Sequence, residues 1–197
     1  ASSTRTQGIR SPHGVSSPVP SRRVICKAVA HRGGPIEGHA RGTSHCLVAQ
    51  WDGHVLDARR WRPEFLHYDY IGATWPQFDD GHDVGNGGFS LRSRRLMEAC
   101  LEPGFDAFHP EDTAIGRENR PWLESQGMRF APRELADAFS TERDGDLSAS
   151  FGYHGVWNMP RAIGPKGFWE VYRSLDDRRT LETDFDAILK RAMPTLQ

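Results

Sequence analysis

The sequence predicts a single α/β domain over residues 46–197, preceded by an irregular basic segment. Two observations lead to this prediction. Short apolar runs that end at glycine or proline alternate with segments whose apolar residues recur at helical spacing, which is typical of α/β folds. All twenty aromatic residues lie after position 45, so the part of the chain that can form a core starts there. The length of 197 residues has room for one such domain.

The overall composition excludes several classes of protein. Basic and acidic residues number 25 and 26, so the formal charge of −1 gives no general attraction to nucleic acid or to anionic membranes. The apolar runs are too short for a transmembrane helix. Three cysteines without a C-x-x-C spacing indicate neither a disulfide scaffold nor a structural zinc site. We therefore expect no nucleic-acid partner and no transmembrane segment.

Residues 1–45 are predicted to be a low-complexity basic tail. They contain seven Lys or Arg and one acid, Glu37, and are dense in Ser, Gly and Pro, so they bury too little apolar surface to order. We expect residues 1–20 to be poorly ordered and residues 24–30 to form one short strand. The tail lacks the apolar core of a signal peptide, and a transit peptide and a nucleic-acid-binding arm stay open as alternatives.

The domain is predicted to open with strands. Residues 46–51 form an apolar run that ends at Asp52-Gly53, as a buried strand does before a turn. Residues 61–66 suit a short helix. Residues 68–73 are predicted to form a second strand, which Trp75-Pro76 stops because proline cannot continue a sheet ladder.

Helices are expected to follow. Residues 93–101 have helical spacing, with Ser93 as the N-cap. A helix over residues 111–126 is expected to be interrupted at Pro121, because proline lacks the amide donor that a helix interior needs. Further elements are predicted at residues 128–131 (strand), 151–155 (strand or turn) and 180–193 (amphipathic helix).

Two segments carry possible metal ligands. Asp52 and His54 lie two residues apart at the end of a strand, so their side chains point to one side and can share a divalent cation, manganese rather than calcium. A plain Asp-Gly turn explains the same residues without a metal. His154 lies between two aromatic-flanked glycines and is either a ligand from a distant segment or a structural histidine.

A glycine-rich motif occupies residues 84–93. Three glycines in four positions, 85 to 88, are costly unless the backbone must approach something closely. Asn86 offers hydrogen-bond donors and acceptors and Phe89 a flat apolar face, the combination that a sugar ring needs. A β-bulge or a hairpin is the alternative explanation, and the spacing is neither that of a Rossmann loop nor that of a Walker loop.

Two adjacent acids, Glu111 and Asp112, follow Pro110 at the predicted start of a helix. The helix dipole favours acids there, which is a purely structural explanation. The functional alternative is a general base held over a site, because a carboxylate is ionised near neutral pH and can accept a proton. Adjacent carboxylates cannot flank a glycosidic bond as the catalytic pair of a hydrolase does.

Several of these motifs, in this order, resemble the domain of unknown function 5672. The resemblance covers roughly residues 46–157 and rests on segments 68–76, 84–93, 111–112, 130–132, 138–142 and 151–155. That family is similar to metal-dependent glycosyltransferases of the GT-A type, which use nucleotide-sugar donors. The resemblance implies a GT-A-like mixed sheet flanked by helices, and an activity that transfers a sugar to a glycan or other hydroxyl acceptor.

The resemblance also assigns roles to residues. Asp112, with Glu111 beside it, takes the place of the base that deprotonates the acceptor, which implies inversion at the anomeric carbon. Mn²⁺ or Mg²⁺ is the implied cofactor, a Lewis acid for the diphosphate leaving group. The implied metal ligands are Asp52, His54 and His154, with Asp112 across the same cleft. The implied substrate-binding residues are Trp75, Gly85, Asn86, Gly87, Gly88 and Phe89.

Two departures from the family pattern support a second hypothesis. His54 stands where the second acid of the Asp-x-Asp metal motif is expected. Only 51 residues precede Asp52, too few for the nucleotide-binding half of a GT-A fold, so much of that half is expected to be missing. The alternative is a catalytically silent or truncated homologue that acts as a glycan-binding or partner-binding module.

Overall fold

The computed structural model describes residues 25–29 and 43–192, and the tail of residues 1–20 that was predicted to be poorly ordered lies outside them. The strands are β1 (Ile25–Val29), β2 (His45–Ala49), β3 (His54–Val55), β4 (Tyr70–Thr74), β5 (Val84–Ser93), β6 (Ser140–Thr141) and β7 (Gly152–Tyr153). The α-helices are α1 (Arg94–Ala99), α2 (Glu111–Thr113), α3 (Arg120–Ser125), α4 (Arg133–Phe139), α5 (Met159–Ala162), α6 (Gly164–Ser174), α7 (Arg179–Glu182) and α8 (Phe185–Ala192).

The larger sheet has four antiparallel strands in the order β1-β2-β5-β4. The two apolar runs predicted as strands, 46–51 and 68–73, form β2 and β4 on either side of β5. β1 confirms the short strand predicted within residues 24–30, and it pairs with β2. A smaller mixed sheet has the order β3-β7-β6, with β6 parallel to β7.

The glycine-rich motif lies within β5, where the strand bulges. Leu91 pairs with Ile71 and Asn86 pairs with Ala73, so β5 advances five residues where β4 advances two. The extra residues of β5, within 87–90, interrupt the regular ladder as a β-bulge does. The motif is therefore part of a buried strand rather than a hairpin turn.

Three apolar clusters surround the two sheets. The first contains Phe65 and Phe139, whose rings meet edge to face with centroids 5.1 Å apart. The second is formed by β7 and the C-terminal helices and contains Leu181 and Ile188. The third packs Tyr70 of β4 against buried residues of α1 and α3. Packing of helices against small sheets confirms the predicted α/β class, while the GT-A arrangement stays a prediction.

Local signals explain where several helices begin. The Ser93 hydroxyl accepts a hydrogen bond from the backbone N–H of Leu96 at 3.1 Å, which confirms the predicted N-cap of α1. The segment predicted as one interrupted helix over residues 111–126 consists of α2, a π turn (Ala114–Glu118) and α3. Pro121 lies in the first turn of α3, where a proline removes no helical hydrogen bond, so the interruption comes just before it.

Other predicted elements differ from the structure. The only part of residues 128–131 that pairs, within the described chain, is a bridge from Phe130 to Tyr70. The helix predicted over residues 180–193 is divided into α7 and α8, although Leu181 and Ile188 are buried as the amphipathic pattern predicts. The short helix predicted at 61–66 is a 3₁₀ helix over Pro63–His67.

The last two features of the fold concern the cysteines and the length of the helices. Cys46 is disulfide-bonded, and Cys100 is a free thiol. Among the residues that the structure describes, no helix combines the length and the apolar character needed to cross a membrane.

Candidate functional site

Two polar clusters lie against consecutive glycines of β5. The imidazole of His154 covers Gly88 so closely that a Cβ atom built there would be 1.9 Å from Nε2. A Cβ atom on Gly87 would lie 2.7 Å from Nη2 of Arg92 and 2.8 Å from Oε1 of Glu111. The glycines are therefore needed for close approach of side chains, as the motif predicts, and each serves a different cluster.

The first cluster, which we call the His154 cluster, consists of Asp52, Asn86, Glu142 and His154. Nε2 of His154 lies 3.4 Å from Oδ1 of Asp52, and Nδ1 lies 3.4 Å from Oε1 of Glu142. Asn86 Nδ2 donates to the other carboxylate oxygen of Glu142 at 2.6 Å. The His154 side chain is 12% exposed, so both ion pairs are largely shielded from water.

Main-chain hydrogen bonds hold this cluster in place. The backbone N–H of His154 donates to the carbonyl of Thr141 at 2.9 Å, which ties β7 to β6. The backbone N–H of Gln50 donates to the carbonyl of Gly88 at 2.8 Å, and the N–H of Gly53 donates to the carbonyl of Gln50 at 3.0 Å. The turn after β2 is thereby fixed on β5, and Asp52, inside that turn, reaches His154.

The two carboxylates determine the charge of His154. Burial by itself lowers the pKa of this imidazole, but the hydrogen bonding and negative charge of Asp52 and Glu142 outweigh it and raise the pKa to about 9. The two carboxylates therefore favour the protonated form of the His154 imidazole.

The positions of Asp52, His54 and His154 show how well these predicted metal ligands fit a cation. Of the three predicted ligands, Asp52 and His154 come together, with Nε2 of His154 3.4 Å from Oδ1 of Asp52. His54 is exposed on β3, with its ring centroid 6.1 Å from that of Tyr153. Within the described ranges, no group of three or more His, Cys, Asp or Glu side chains is arranged to hold a metal ion. As they stand here, Asp52, His54 and His154 do not fit a divalent ion.

The second cluster, the Arg92 cluster, consists of Arg92, Glu111 and Asp112 beside Gly87. Nη2 of Arg92 donates to Oε1 of Glu111 at 2.9 Å and to the carbonyl of Gly87 at 3.3 Å. Oδ2 of Asp112 accepts a hydrogen bond from the Gly87 N–H at 3.3 Å. Oδ1 of Asp112 accepts one from the Thr113 N–H at 2.8 Å. Both acids lie in α2, at the helix start that the sequence predicts.

The pKa values of the two acids in this cluster are shifted in opposite directions. Burial, together with the charge of Glu111, raises the pKa of Asp112 above its ordinary value. Burial also acts to raise the pKa of Glu111, but the hydrogen bond and charge of Arg92 outweigh it, so that pKa is lowered. Glu111 is therefore the ionised partner of Arg92, and Asp112 is the better proton acceptor of the two.

Two residues predicted to bind substrate lie in the core. Phe89 is 1% exposed and stacks on Phe139 with ring centroids 5.4 Å apart, so it offers no free face to a sugar ring. Trp75 is 8% exposed, and its ring lies where a Cβ atom on Gly85 would come within 2.3 Å. Gly85 therefore makes room for a packed tryptophan. The flat face of Phe89 that was predicted to bind a sugar is packed in the core, because the Phe89 side chain of β5 points inward.

An aromatic pocket lies next to the His154 cluster. Its volume is about 200 Å³, and it is lined by Trp51, Asp52, Arg143, His154, Val156, Trp157 and Asp184. Arg143 donates from Nη1 and Nη2 to the two carboxylate oxygens of Asp184, at 3.0 Å each. The guanidinium carbon of Arg143 lies 3.5 Å from the centroid of the Trp157 ring. We call this the tryptophan pocket.

Sequence reasoning missed most of the tryptophan pocket. Arg143 and Asp184 are 41 residues apart, and nothing in their local sequence links them. Glu142 lies in one of the segments that carry the family resemblance, but its contact with His154 is not predictable from spacing. Two tryptophans next to predicted ligands, Trp51 beside Asp52 and Trp157 three residues after His154, were the available signals.

Comparison with known proteins identifies a family over most of this site. A family model described as a protein of unknown function, DUF5672, matches residues 39–154, which is more than half of the 197-residue chain. No curated protein and no solved structure matches the chain. The matched range contains the glycine-rich motif and the Arg92 cluster, and it ends at His154. The chain therefore belongs to the DUF5672 family.

Proposed function

We infer that this domain transfers a sugar from an activated donor to a hydroxyl acceptor, with Asp112 as the general base. The observation that carries this inference is that the two acids of the Arg92 cluster have different partners and different pKa shifts. Of the two acids, Glu111 is the one that accepts a hydrogen bond from the Arg92 side chain, and the pKa of Asp112 is raised. A carboxylate with a raised pKa is a stronger proton acceptor than an ordinary aspartate, as general base catalysis requires.

In the proposed reaction Asp112 takes the proton of the acceptor hydroxyl. The acceptor oxygen forms a bond to the anomeric carbon while the bond from that carbon to the diphosphate oxygen breaks. The nucleoside diphosphate leaves with the electron pair, and attack from the opposite face inverts the anomeric configuration. Glu111 is a positioning residue in this scheme, since it holds Arg92 and its charge helps to raise the pKa of Asp112.

The manganese or magnesium ion of the family resemblance stays a prediction. The donor set of Asp52, His54 and His154 does not fit a divalent ion in the arrangement described, so no step of the reaction is assigned to a metal. The nucleotide-sugar donor likewise rests on the resemblance alone.

Asp112→Asn tests the proposed function. The asparagine side chain has nearly the same shape as aspartate but does not act as a base. The rate of sugar transfer is therefore expected to fall by about 10²–10⁴-fold, as on loss of a general base. The measurement is product formation from a panel of nucleotide-activated sugars and hydroxyl acceptors, with donor binding followed by calorimetry. Asp176→Asn, an exposed carboxylate outside both clusters, is the matched control and is expected to leave transfer unchanged.

A glycan-binding module without catalysis is the second candidate function. The tryptophan pocket favours it, because an indole, Trp51, and two carboxylates, Asp52 and Asp184, line one small pocket that contains neither proposed catalytic acid. If glycans bind and no activated sugar is consumed at any pH between 6 and 9, the catalytic proposal is wrong and the binding module replaces it.

A further inference from the structure

We propose that Ser90 is a positioning residue for the proposed base. Its hydroxyl fixes the Gly87 peptide and the Arg92 guanidinium, the two groups of β5 that hold the acids of α2. This inference rests on the proposed function for the role of Asp112 as the base. The effect of Ser90 on the Asp112 carboxyl can be measured without any substrate.

Ser90 lies in the bulge of β5 and is fully buried. Its hydroxyl oxygen accepts a hydrogen bond from Nε of Arg92 at 3.0 Å, and the hydroxyl donates one to the carbonyl of Gly87 at 3.0 Å. Chemistry fixes the direction of both bonds, because a guanidinium can only donate and a carbonyl can only accept. The single hydroxyl proton of Ser90 is therefore committed to Gly87.

The Gly87 carbonyl depends on side chains for its hydrogen bonds. Gly87 falls outside the registers of β5 with β2 and with β4, so neither of these two ladders holds it. Its carbonyl accepts from the Ser90 hydroxyl and, at 3.3 Å, from Nη2 of Arg92. Loss of the hydroxyl would leave only the longer of these two bonds, and it would also remove the acceptor of Arg92 Nε.

Gly87 and Arg92 in turn hold the two acids of α2. The Gly87 N–H donates to Oδ2 of Asp112 at 3.3 Å. Nη2 of Arg92 donates to Oε1 of Glu111 at 2.9 Å. A Cβ atom on Gly87 would lie 2.9 Å from Cβ of Asp112, so α2 packs directly on this residue. The bond to Asp112 is longer than the usual range of about 2.7–3.2 Å, so a small displacement of Gly87 breaks it. Ser90 thus acts on each acid through one intermediate residue.

The groups around the Asp112 carboxyl determine the sign of the effect. They come from α2, β5 and β4 and include Glu111, Thr113, Gly87, Arg92 and Tyr70. Burial and the charge of Glu111 raise the pKa of Asp112, whereas the backbone N–H groups and the charge of Arg92 lower it. Ser90 holds two of the groups that lower this pKa. Removal of its hydroxyl is therefore expected to raise the pKa of Asp112 further.

The test compares two buried serines in the full chain. Ser150 is fully buried like Ser90, and its hydroxyl accepts a hydrogen bond from the Thr141 hydroxyl at 3.0 Å and donates one to the carbonyl of Gly152 at 2.7 Å. Ser90→Ala and Ser150→Ala therefore remove the same group from similar surroundings, and both are expected to lower the Tm. Only the first variant removes a contact of the Arg92 cluster.

The readout is the pKa of Asp112, measured by ¹³C NMR titration of its carboxyl without substrate. Ser90→Ala is expected to raise it by about half to one pH unit, as on loss of a hydrogen bond to a charged group. Ser150→Ala is expected to leave it unchanged. An unchanged pKa in Ser90→Ala, folded by circular dichroism, would overturn the inference, as would an equal rise in both variants.

Two further measurements do not depend on the alanine variant. Ser90→Thr keeps the hydroxyl and is expected to keep the pKa of Asp112, whereas a rise as large as in Ser90→Ala would show that packing rather than the hydroxyl matters. In the unaltered chain, the amide signal of Gly87 is expected to shift with pH at the same midpoint as the Asp112 carboxyl. A Gly87 amide that does not titrate would refute the link between the two residues.

Product formation separates this inference from the proposed function. In Ser90→Ala the acidic limb of the kcat profile is expected to move to higher pH by the same amount as the pKa of Asp112, with KM unchanged. If that pKa rises but no sugar transfer is found in any form of the chain, the proposed function fails and the positioning of Asp112 by Ser90 stands. If Asp112→Asn abolishes transfer while Ser90→Ala changes neither the pKa nor the profile, the positioning inference fails alone.

Discussion

The imidazole of His154 rests on the Cα atom of Gly88, and a Cβ atom at that position would lie 1.9 Å from Nε2 and 2.2 Å from Cε1. Gly88 is not in the left-handed region of backbone conformation, so its requirement is for space rather than for an unusual φ. Since His154 is held between Asp52 and Glu142, the ring cannot simply turn away. This single contact joins β5, the turn after β2 and the segment after β7.

Gly88→Ala is therefore expected to destabilise the domain and displace His154. Overpacking of a buried site costs about 1–3 kcal/mol of unfolding free energy. Urea unfolding measures the loss. Gly167→Ala, in the interior of α6, is the control, because a Cβ atom there has its nearest contact at 3.4 Å. That variant is expected to be neutral or to gain about 0.5–1 kcal/mol from helix propensity. Equal stability of both variants would contradict the close packing of His154.

The stability of the domain is expected to fall as pH rises through about 9. The folded-state pKa of His154 is raised from 6.5 to about 9, so its charged form favours folding. Its contribution is complete below pH 6.5 and is lost as pH rises through about 9, on the order of 3 kcal/mol. The unfolding free energy measured between pH 6 and 10 checks this. His154→Gln should remove most of the pH dependence over that window, and an unchanged slope would refute the assignment.

The two acids of the Arg92 cluster are expected to differ in their effect on stability. Glu111→Gln leaves the buried Arg92 without its carboxylate partner and is expected to cost about 1–2 kcal/mol, less than for a fully buried pair because the Glu111 side chain is 47% exposed. Asp112→Asn is expected to cost less than about 1 kcal/mol at pH 7. It removes a charge that folding disfavours, but it turns an amide NH2 toward one of the two backbone N–H groups, of Gly87 and Thr113, from which Asp112 accepts hydrogen bonds. Thermal unfolding of both variants measures the difference, and the reverse order would show that Asp112 is the partner of Arg92.

The C-terminal helices are expected to contribute to the stability of the whole domain. Leu181 of α7 is 1% exposed and packs in the cluster that includes Tyr153 of β7. Leu181→Ala is expected to cost about 2–4 kcal/mol of unfolding free energy, because it leaves a cavity. Leu101→Ala removes the same atoms from a side chain that is 85% exposed and is expected to change stability by less than about 0.5 kcal/mol. A single unfolding transition, shifted only by the first variant, is the expected result.

Local patterns in the sequence predicted the parts of the fold that depend on neighbouring residues. Ser93 caps α1 because its hydroxyl reaches an amide three residues later. The apolar runs of β2 and β4 are buried strands, and Glu111 and Asp112 begin a helix. For the cap and the helix start, the stabilising group and the group that it stabilises lie within one turn of chain, and the two strands are recognisable from their own apolar runs. These elements are therefore predictable from the sequence.

Local sequence patterns do not predict contacts between residues that are distant along the chain. Phe89 follows a glycine run and was predicted to offer a flat face to a sugar, but pairing of β5 with β2 and β4 buries it against Phe139. Asn86 and Glu142 are 56 residues apart, and only the pairing of β6 with β7 and of β5 with its neighbours brings them within hydrogen-bond distance. The partners of His154 depend on the same packing.

The sequence by itself determined the family, the strand and helix content and the residue types available for chemistry, because these follow from composition, spacing and motif order along the chain. Only the tertiary structure decided which charges meet. It pairs His154 with two carboxylates rather than leaving it open to a metal, gives Arg92 to Glu111 rather than to Asp112, and brings Trp157 beside Trp51. The physical reason is that charge state and exposure depend on burial and on through-space partners, which the order of residues along the chain does not specify.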